Sequence, residues 1–299
     1  MSKISLVIPN WNGQGLLEKN MPFWITAKKN KKNNISEIVI VDDKSSDDSV
    51  KFLRETYKDD TKIVCHKQNR GFAAAVNTGF RSARFPFVCL LNTDVIPKQD
   101  FLKNILTNFK DIKVFGVSLH EKSFAYASGA FENGFIVHRS GKEINTIKNT
   151  FWVSGGSGVF RRSYWMHLGG LDESLFSPFY WEDVDLSYRA LKRGYKLLWN
   201  PKARVVHMHE AVINKSNFAM WRVNLIKERN YLLFNWKNLT SSNLVSKHRK
   251  ALFKKIRLHP GYLKVVLFAL LKWKKVVKAR RVEKKEQVIS DEAIFESFR

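Results

Sequence analysis

Phe87-Val88-Cys89-Leu90-Leu91-Asn92-Thr93-Asp94 is an unbroken apolar run closed by three polar residues. A strand with water on one face alternates apolar and polar residues; a strand covered on both faces does not. Residues 87–91 therefore read as an inner strand of a parallel sheet, and Asn92-Thr93-Asp94 as the loop leaving its carboxyl end.

Similar short runs lie on either side, at Ile4–Ile8, Glu37–Val41, Lys62–Cys65 and Val114–Ser118. Helix-like segments fall between them at roughly 14–29, 47–57, 72–84 and 99–110. Strand and helix alternating in this way predict an α/β fold, a mostly parallel central sheet with helices on both faces. Ligands bind such sheets beyond the carboxyl ends of the strands. Polar or glycine chemistry follows each of the first four strands: Pro9-Asn10-Trp11, Asp42-Asp43, Gln68-Asn69-Arg70-Gly71 and Asn92-Thr93-Asp94. Residues 119–150, with glycines at 129, 134 and 141, read as hairpins or a mobile loop.

Several of these residues have a structural reading beside a chemical one. Asp42 can accept from ribose hydroxyls or base N–H groups, while Ser46 or Asp47 can cap the following helix. Gly71 allows close backbone approach, and the small residues after it allow tight helix–sheet packing. Asp94 can hold a hard divalent cation, or can belong to an Asn/Asp turn. Trp181-Glu182-Asp183-Val184-Asp185 opens a helix that runs to Arg193 and closes at Gly194. Asp185 and Arg189 are spaced for an i, i+4 pair, Glu182 and Asp183 suit the positive helix end, and either could serve as a base. His207 and His209 end an apolar strand-like run and share a face.

Composition narrows the function classes. The chain has 299 residues and a formal net charge of +25. From Trp221 onward there are 20 Lys and Arg against 6 Asp and Glu, so 14 of those 25 charges sit in the last quarter. An excess of this size points to a polyanionic partner. No nucleic-acid motif accompanies it, so nucleic acid is not the expected partner. A sugar-phosphate nucleotidyltransferase would carry a Gly-x-Gly-x-Arg loop after the first strand, where this chain has Pro9-Asn10-Trp11-Asn12-Gly13. Cys65 and Cys89 read as buried strand cysteines, with neither a disulfide framework nor zinc spacing, which fits a reducing cytosol. The N-terminal run is too short for a secretory signal, and Val265–Leu271 falls well short of the ~20 apolar residues of a spanning helix. Two domains are expected: residues 1–220, and a basic amphipathic helical tail over 221–299.

Taken together, the motifs resemble family 2 glycosyltransferases of the GT-A fold, in their rhamnosyltransferase-like bacterial branch. Ser5 through Gly13 resembles the opening strand and loop, Val41 through Asp47 the nucleoside-binding turn, and Asn69 through Asn77 the second nucleotide segment. Leu90 through Val95 occupies the place of the Asp-x-Asp motif, with Asn92 where the first acid would stand. Ser154-Gly155-Gly156, Gly169 through Glu173 and Trp181-Glu182-Asp183 resemble the acceptor and catalytic half, and His207 the late metal-ligand histidine.

The resemblance implies inverting transfer of a sugar from a nucleoside-diphosphate sugar to a saccharide or lipid-linked acceptor in cell-envelope polysaccharide synthesis. Asp183 would be the base, and Glu182 would orient the acceptor together with Gly156 and Trp181. Asp94 and His207 would hold Mg²⁺ or Mn²⁺. Pro9, Asn10, Asp42, Asn69, Gly71, Asn77 and Asn92 would line the nucleotide-sugar site. The tail is expected to lie on an anionic membrane surface, making the enzyme cytoplasmic and peripheral on the inner face of the membrane. In that reading Val265, Val266, Ala269, Leu270, Trp273, Val276 and Val277 form the apolar face and Lys264, Lys272, Lys274, Lys275 and Lys278 the basic one.

Overall fold

A computed structural model of the protein describes residues 3–122, 125–208 and 219–299. The first half begins β1 (Ile4–Asn10), α1 (Gln14–Lys29), β2 (Ile35–Asp42), α2 (Ser49–Thr56), β3 (Lys62–Cys65), α3 (Phe72–Ser82), β4 (Phe87–Leu91) and β5 (Val95–Pro97). There follow β6 (Val114–Glu121), a hairpin of β7 (Ala127–Glu132) and β8 (Phe135–Ser140), the two-residue β9 (Lys148–Asn149) and β10 (Ser157–Arg161). Next come the short helices α4 (Arg162–His167) and α5 (Glu173–Phe176), then α6 (Glu182–Lys192) and β11 (Lys196–His207). The remaining described residues are helical: α7 (Met220–Asn238), α8 (Ser242–Leu258), α9 (Leu263–Leu270), α10 (Trp273–Glu286) and α11 (Asp291–Glu296).

The main sheet runs β3-β2-β1-β4-β10-β6-β11-β5, with β9 beside β11. Strands β3, β2, β1 and β4 are parallel, as the alternation of elements requires. Strand β10 then enters antiparallel to both β4 and β6, while β6 and β11 run parallel to each other. The parallel character is thus confined to two blocks joined through one reversed strand. The reversal places the start of β10 at the edge where β1, β2, β4, β6 and β11 end. That edge carries Asn10, Asp42, Asn92, Gly156, Glu121 and His207.

Helices form where their apolar faces have a sheet to cover. In α1 the buried Leu17, Met21, Trp24 and Ile25 recur at helical spacing against the sheet. In α3 the small residues allow contact so close that a Cβ on Gly79 would lie 2.3 Å from Val7 Cγ1. Residues 99–110 do not form the predicted α-helix: Asn104 adopts a left-handed conformation (φ 63°), and only a 3₁₀ turn over Ile105–Lys110 follows. Helix α2 starts at Ser49 rather than 47, because Asp47 instead accepts from the backbone N–H groups of Gln14 (2.9 Å) and Ser49 (3.1 Å). Asn133 (φ 50°) and Gly134 (φ 82°) make the β7–β8 turn, where two successive left-handed residues suit a tight hairpin. Cys89 is buried as expected; Cys65 is exposed, because it ends the edge strand β3.

The helices after residue 220 share a hydrophobic cluster with residues 151–188: Phe151, Leu175, Phe176, Val184 and Tyr188 pack with Leu232, Leu233, Phe234, Val266, Ala269 and Phe295. The apolar core therefore runs across the 220 boundary. Buried charges cross it too. Lys192 pairs with Asp291 at 3.0 Å, both fully buried, and Lys237 bridges Asp185 (2.8 Å) and Asp172 (3.0 Å).

Candidate active site

The residues expected to meet a nucleotide begin on β1 and β2. Asp42, almost fully buried, accepts from Asn10 Nδ2 at 2.9 Å and from the Ser45 backbone N–H at 2.9 Å. Asn10 Oδ1 is buried without a hydrogen-bond partner, which leaves an acceptor for an incoming donor. Pro9 lies buried one residue earlier, in register with Val41.

The next turn is organised by Asp43, a residue the sequence reading passed over in favour of Asp42. Its carboxylate accepts from the backbone N–H groups of Arg70 (2.9 Å) and Gly71 (2.6 Å) and contacts His66 Nδ1 at 2.6 Å. Gly71 takes φ 86°, as the turn requires of a residue without a Cβ. Asn69 is exposed at its start. Asn77 departs from expectation. It donates to Leu171 O (2.8 Å) and Glu173 Oε1 (2.9 Å) and accepts from Leu171 N–H (2.9 Å) and Trp165 Nε1–H (3.3 Å). With its amide committed to holding the 171–173 loop against α3, Asn77 has no hydrogen-bonding atom left for a nucleoside.

Two donors from α1 fix the loop after β4: Asn20 Nδ2 bonds Thr93 O at 2.7 Å, and Trp24 Nε1 bonds Val95 O at 3.0 Å. Beside that loop β11 pairs antiparallel with β5, with His207 opposite Val95. Asp94 Oδ1 and His207 Nε2 stand 3.2 Å apart. His207 Nδ1 lies 3.0 Å from Glu121 Oε2, and the other oxygen of Glu121 accepts from the Ser157 hydroxyl. Burial alone would lower the His207 pKa, but the carboxylates of Asp94 and Glu121 outweigh it and raise it to about 9. His209 lies outside the described residues.

A carboxylate and an imidazole converging on one point form a donor set that suits Mn²⁺ or Mg²⁺. Among the described residues no group of three or more His, Cys, Asp or Glu makes a complete cage. Asn92 Oδ1, buried and unpartnered, stands at the same loop.

The segment expected to carry the base begins at α6. Tyr180 (φ 73°) and Trp181 (φ 76°) are both left-handed, conformations that cost bulky residues energy and that turn the chain sharply into the helix. Trp181 stacks on Tyr231 and Phe234 of α7, with ring centroids 4.6 and 5.3 Å away. Asp183 accepts from the N–H groups of Gly155 (3.0 Å) and Val184 (2.8 Å). Glu182 is buried, and its Oε2 has no hydrogen-bond partner. Burial raises the pKa of both carboxyls; in Glu182 the neighbouring Asp183 adds to the rise, and in Asp183 the backbone donors oppose it. Asp185, the third acid, is structural: Arg189 (2.8 Å), Lys237 (2.8 Å) and Asn238 (2.8 Å) saturate it.

Two consecutive glycines join the halves. A Cβ on Gly155 would lie 3.0 Å from Asp183 Cβ, and one on Gly156 would lie 2.8 Å from Asn92 Nδ2 and 3.1 Å from His207 Cε1. Asp183 on one side and Asn92 with His207 on the other thus close on a turn with no room for side chains.

The sequence model of Glycosyl transferase family 2 matches residues 5–166. The chain belongs to this family. A pre-mycofactocin glycosyltransferase of Mycobacterium tuberculosis is 30% identical over 156 residues, covering 50% of this chain and 33% of the relative. The chain thus spans about a third of that relative's length. The O-antigen chain rhamnosyltransferase WbaN of Salmonella anatum is 27% identical over 229 residues, covering 70% of this chain and 67% of WbaN. Among solved structures, GalNAc-T7 with UDP, GalNAc and Mn²⁺ superposes with a TM-score of 0.63 at 16% identity, over 88% of this chain and 57% of that one. This family 2 glycosyltransferase therefore has the GT-A fold. The turns after β1, β2, β3 and β4 and the Gly155-Gly156 turn before β10 lie along one edge of its sheet, and His207 ends β11 there. Sequence reasoning missed Asp43, Asn20, Trp24 and Glu121. A carboxylate at the end of each parallel strand was the available signal for Asp43 and Glu121.

Proposed function

We propose that the chain is a metal-dependent, inverting glycosyltransferase that moves a sugar from a nucleoside-diphosphate sugar to a saccharide or lipid-linked acceptor in cell-envelope polysaccharide synthesis. The observation that carries this reading is the Gly155-Gly156 turn, against which Asp183 and the Asp94–His207 pair converge from opposite sides. GalNAc-T7, which shares the fold, was solved with a nucleotide, a sugar and Mn²⁺.

In this mechanism Asn10 and Asp42 face the nucleoside, and Asp94 and His207 would hold Mn²⁺ or Mg²⁺. Bound there, the ion would supply positive charge to offset that of the diphosphate leaving group. Glu121 takes the Nδ1 proton of His207 in a hydrogen bond and so keeps Nε2 turned toward Asp94. Asp183, held by two backbone N–H groups, accepts the proton of the acceptor hydroxyl as that oxygen attacks the anomeric carbon from the face opposite the leaving group. Glu182, buried beside Asp183 with its Oε2 unpartnered, orients the acceptor.

The test is release of nucleoside diphosphate from a panel of UDP-, dTDP- and GDP-sugars by the purified protein, with the product anomer read by NMR. Turnover that stops in EDTA and returns with Mn²⁺ or Mg²⁺, giving an inverted anomer, is expected. Full turnover in EDTA after exhaustive dialysis would overturn the metal requirement, and a retained anomer the direct displacement.

A further inference from the structure

The exposed surface of α9 and the start of α10 has a composition that the rest of the molecule does not explain. Leu263, Leu267, Leu270 and Leu271 recur at i, i+4, i+7 and i+8, the spacing of one helical face. They are 45%, 56%, 44% and 81% exposed, and Trp273 beside them is 50% exposed. The opposite face of the same segment, Val265, Val266, Ala269 and Val276, is buried in the cluster that α7 contributes to. The apolar face drawn from the sequence is therefore mostly a protein contact. Of that face Leu270 and Trp273 stay in the open, beside Leu263, Leu267 and Leu271.

Charge identifies what covers them. Between Glu228 and Glu283 the chain has no acidic residue and 15 Lys and Arg. Lys264, Lys274, Lys275 and Lys278 are exposed along the leucine row. A second copy docking through the same face would oppose like charges. A nucleic acid would match the charge but not four open leucines and a tryptophan. An anionic bilayer matches both, since apolar side chains enter the interface while lysines remain at the headgroups.

We propose that the Leu263–Trp273 ridge docks on an anionic lipid surface and fixes the orientation of the active site above it. Phe268, on the inner flank of the same helix, packs against the cluster of Phe179, Val223 and Ile226 that Tyr180 also joins, and Lys272 Nζ bonds Leu175 O at 2.6 Å. The ridge is thereby coupled to the segment leading into Glu182 and Asp183, so membrane contact holds the acceptor side of the site at the bilayer. The purpose of this contact rests on the function proposed above, whereas the contact itself does not.

Truncation is a poor test, because removing α11 would take Asp291 away from the buried Lys192. Surface substitutions leave the core alone. The experiment is vesicle flotation of the full chain and two double variants, Leu267→Ser with Leu271→Ser and Lys274→Glu with Lys275→Glu. The vesicles are phosphatidylcholine with and without phosphatidylglycerol. The wild type is expected to float only with phosphatidylglycerol, less so at high salt, and each variant to bind about tenfold or more weakly. Melting temperature and calorimetric binding of UDP and GDP with Mn²⁺ are expected to be the same in all three proteins. Wild type that ignores phosphatidylglycerol, or variants that float as wild type does, would overturn the proposal. So would leucine substitution that dissolves a dimer, or salt-sensitive DNA retention, without vesicle binding. Vesicle binding without nucleotide binding would sink the catalytic reading and leave this one standing.

Discussion

Asp183 and Glu182 are neighbours in sequence but meet different surroundings. Asp183 receives two backbone donors, while Glu182 keeps a buried oxygen without a partner. As the proposed base, Asp183 works ionised, and its pKa is raised. The acid limb of kcat/KM should therefore fall at a higher pH than the ~4 of an ordinary carboxylate, and the value belongs to the pair. Asp183→Asn should lower turnover about 10²–10⁴-fold and spare UDP or GDP binding; a variant retaining a tenth of wild-type turnover would exclude Asp183 as base. In the proposed metal site Glu121 would be a positioning residue acting through His207. Glu121→Gln should weaken Mn²⁺ binding about 10–100-fold, read by calorimetry or EPR. The same substitution in a His207→Ala background should have little effect, whereas a merely structural role would persist there.

At the scale of elements, packing between helices is reinforced by buried charge. Helix α6 carries Asp185 and Arg189 on one face, and α7 supplies Lys237 and Asn238 to meet them. Asp172, at the start of α5, shares Lys237. Burial works against its charge, but Lys237 beside it holds its carboxyl well below the usual range. A depressed folded-state pKa contributes stability above the unfolded value, and that stability is lost as the pH falls. Asp172→Asn should cost about 1–3 kcal/mol at pH 7, and the gap should narrow below about pH 4, measured by denaturant unfolding at each pH. Asn77 ties α3 to the 171–173 loop in the same way. Asn77→Ala should lower stability by about 1–3 kcal/mol and leave donor nucleotide affinity nearly unchanged, because its amide faces protein. A large loss of UDP or GDP binding at unchanged stability would restore it to the nucleotide site.

For the whole molecule, residues 220–299 carry half the excess charge and also complete the core. Asp291 receives Lys192, the Tyr188 hydroxyl (2.8 Å) and the backbone N–H groups of Thr240 (2.7 Å) and Ser241 (2.8 Å). Asp291→Ala strands Lys192 in the interior and should cost about 3–5 kcal/mol, seen as a lower melting temperature. Far-UV and tryptophan signals should still melt together. A separate early transition confined to helix, with the sheet unaffected, would show the C-terminal helices to be an independent unit.

The strands and their polar ends could be read from the sequence because local composition carries that information. A doubly covered strand is an unbroken apolar run wherever it lies, and Asn10, Asp42 and Asn92 follow such runs directly. The pairing of Asp185 with Arg189 was legible for the same reason, since four residues of helix bring them together whatever surrounds them. The reversed strand β10 was not legible, because strand order is set by pairings between residues tens of positions apart. Nor was the role of Asn77, whose partners lie 88 to 96 residues away. Glu121 acquires meaning only when β6 and β11 end side by side. The tail shows the division most clearly. Its amphipathic periodicity was visible in the sequence, but periodicity gives only the angle between faces. Which face meets protein depends on where α7 lies, and that placement turned Val265 and Val266 inward and left Leu267 and Leu271 outside.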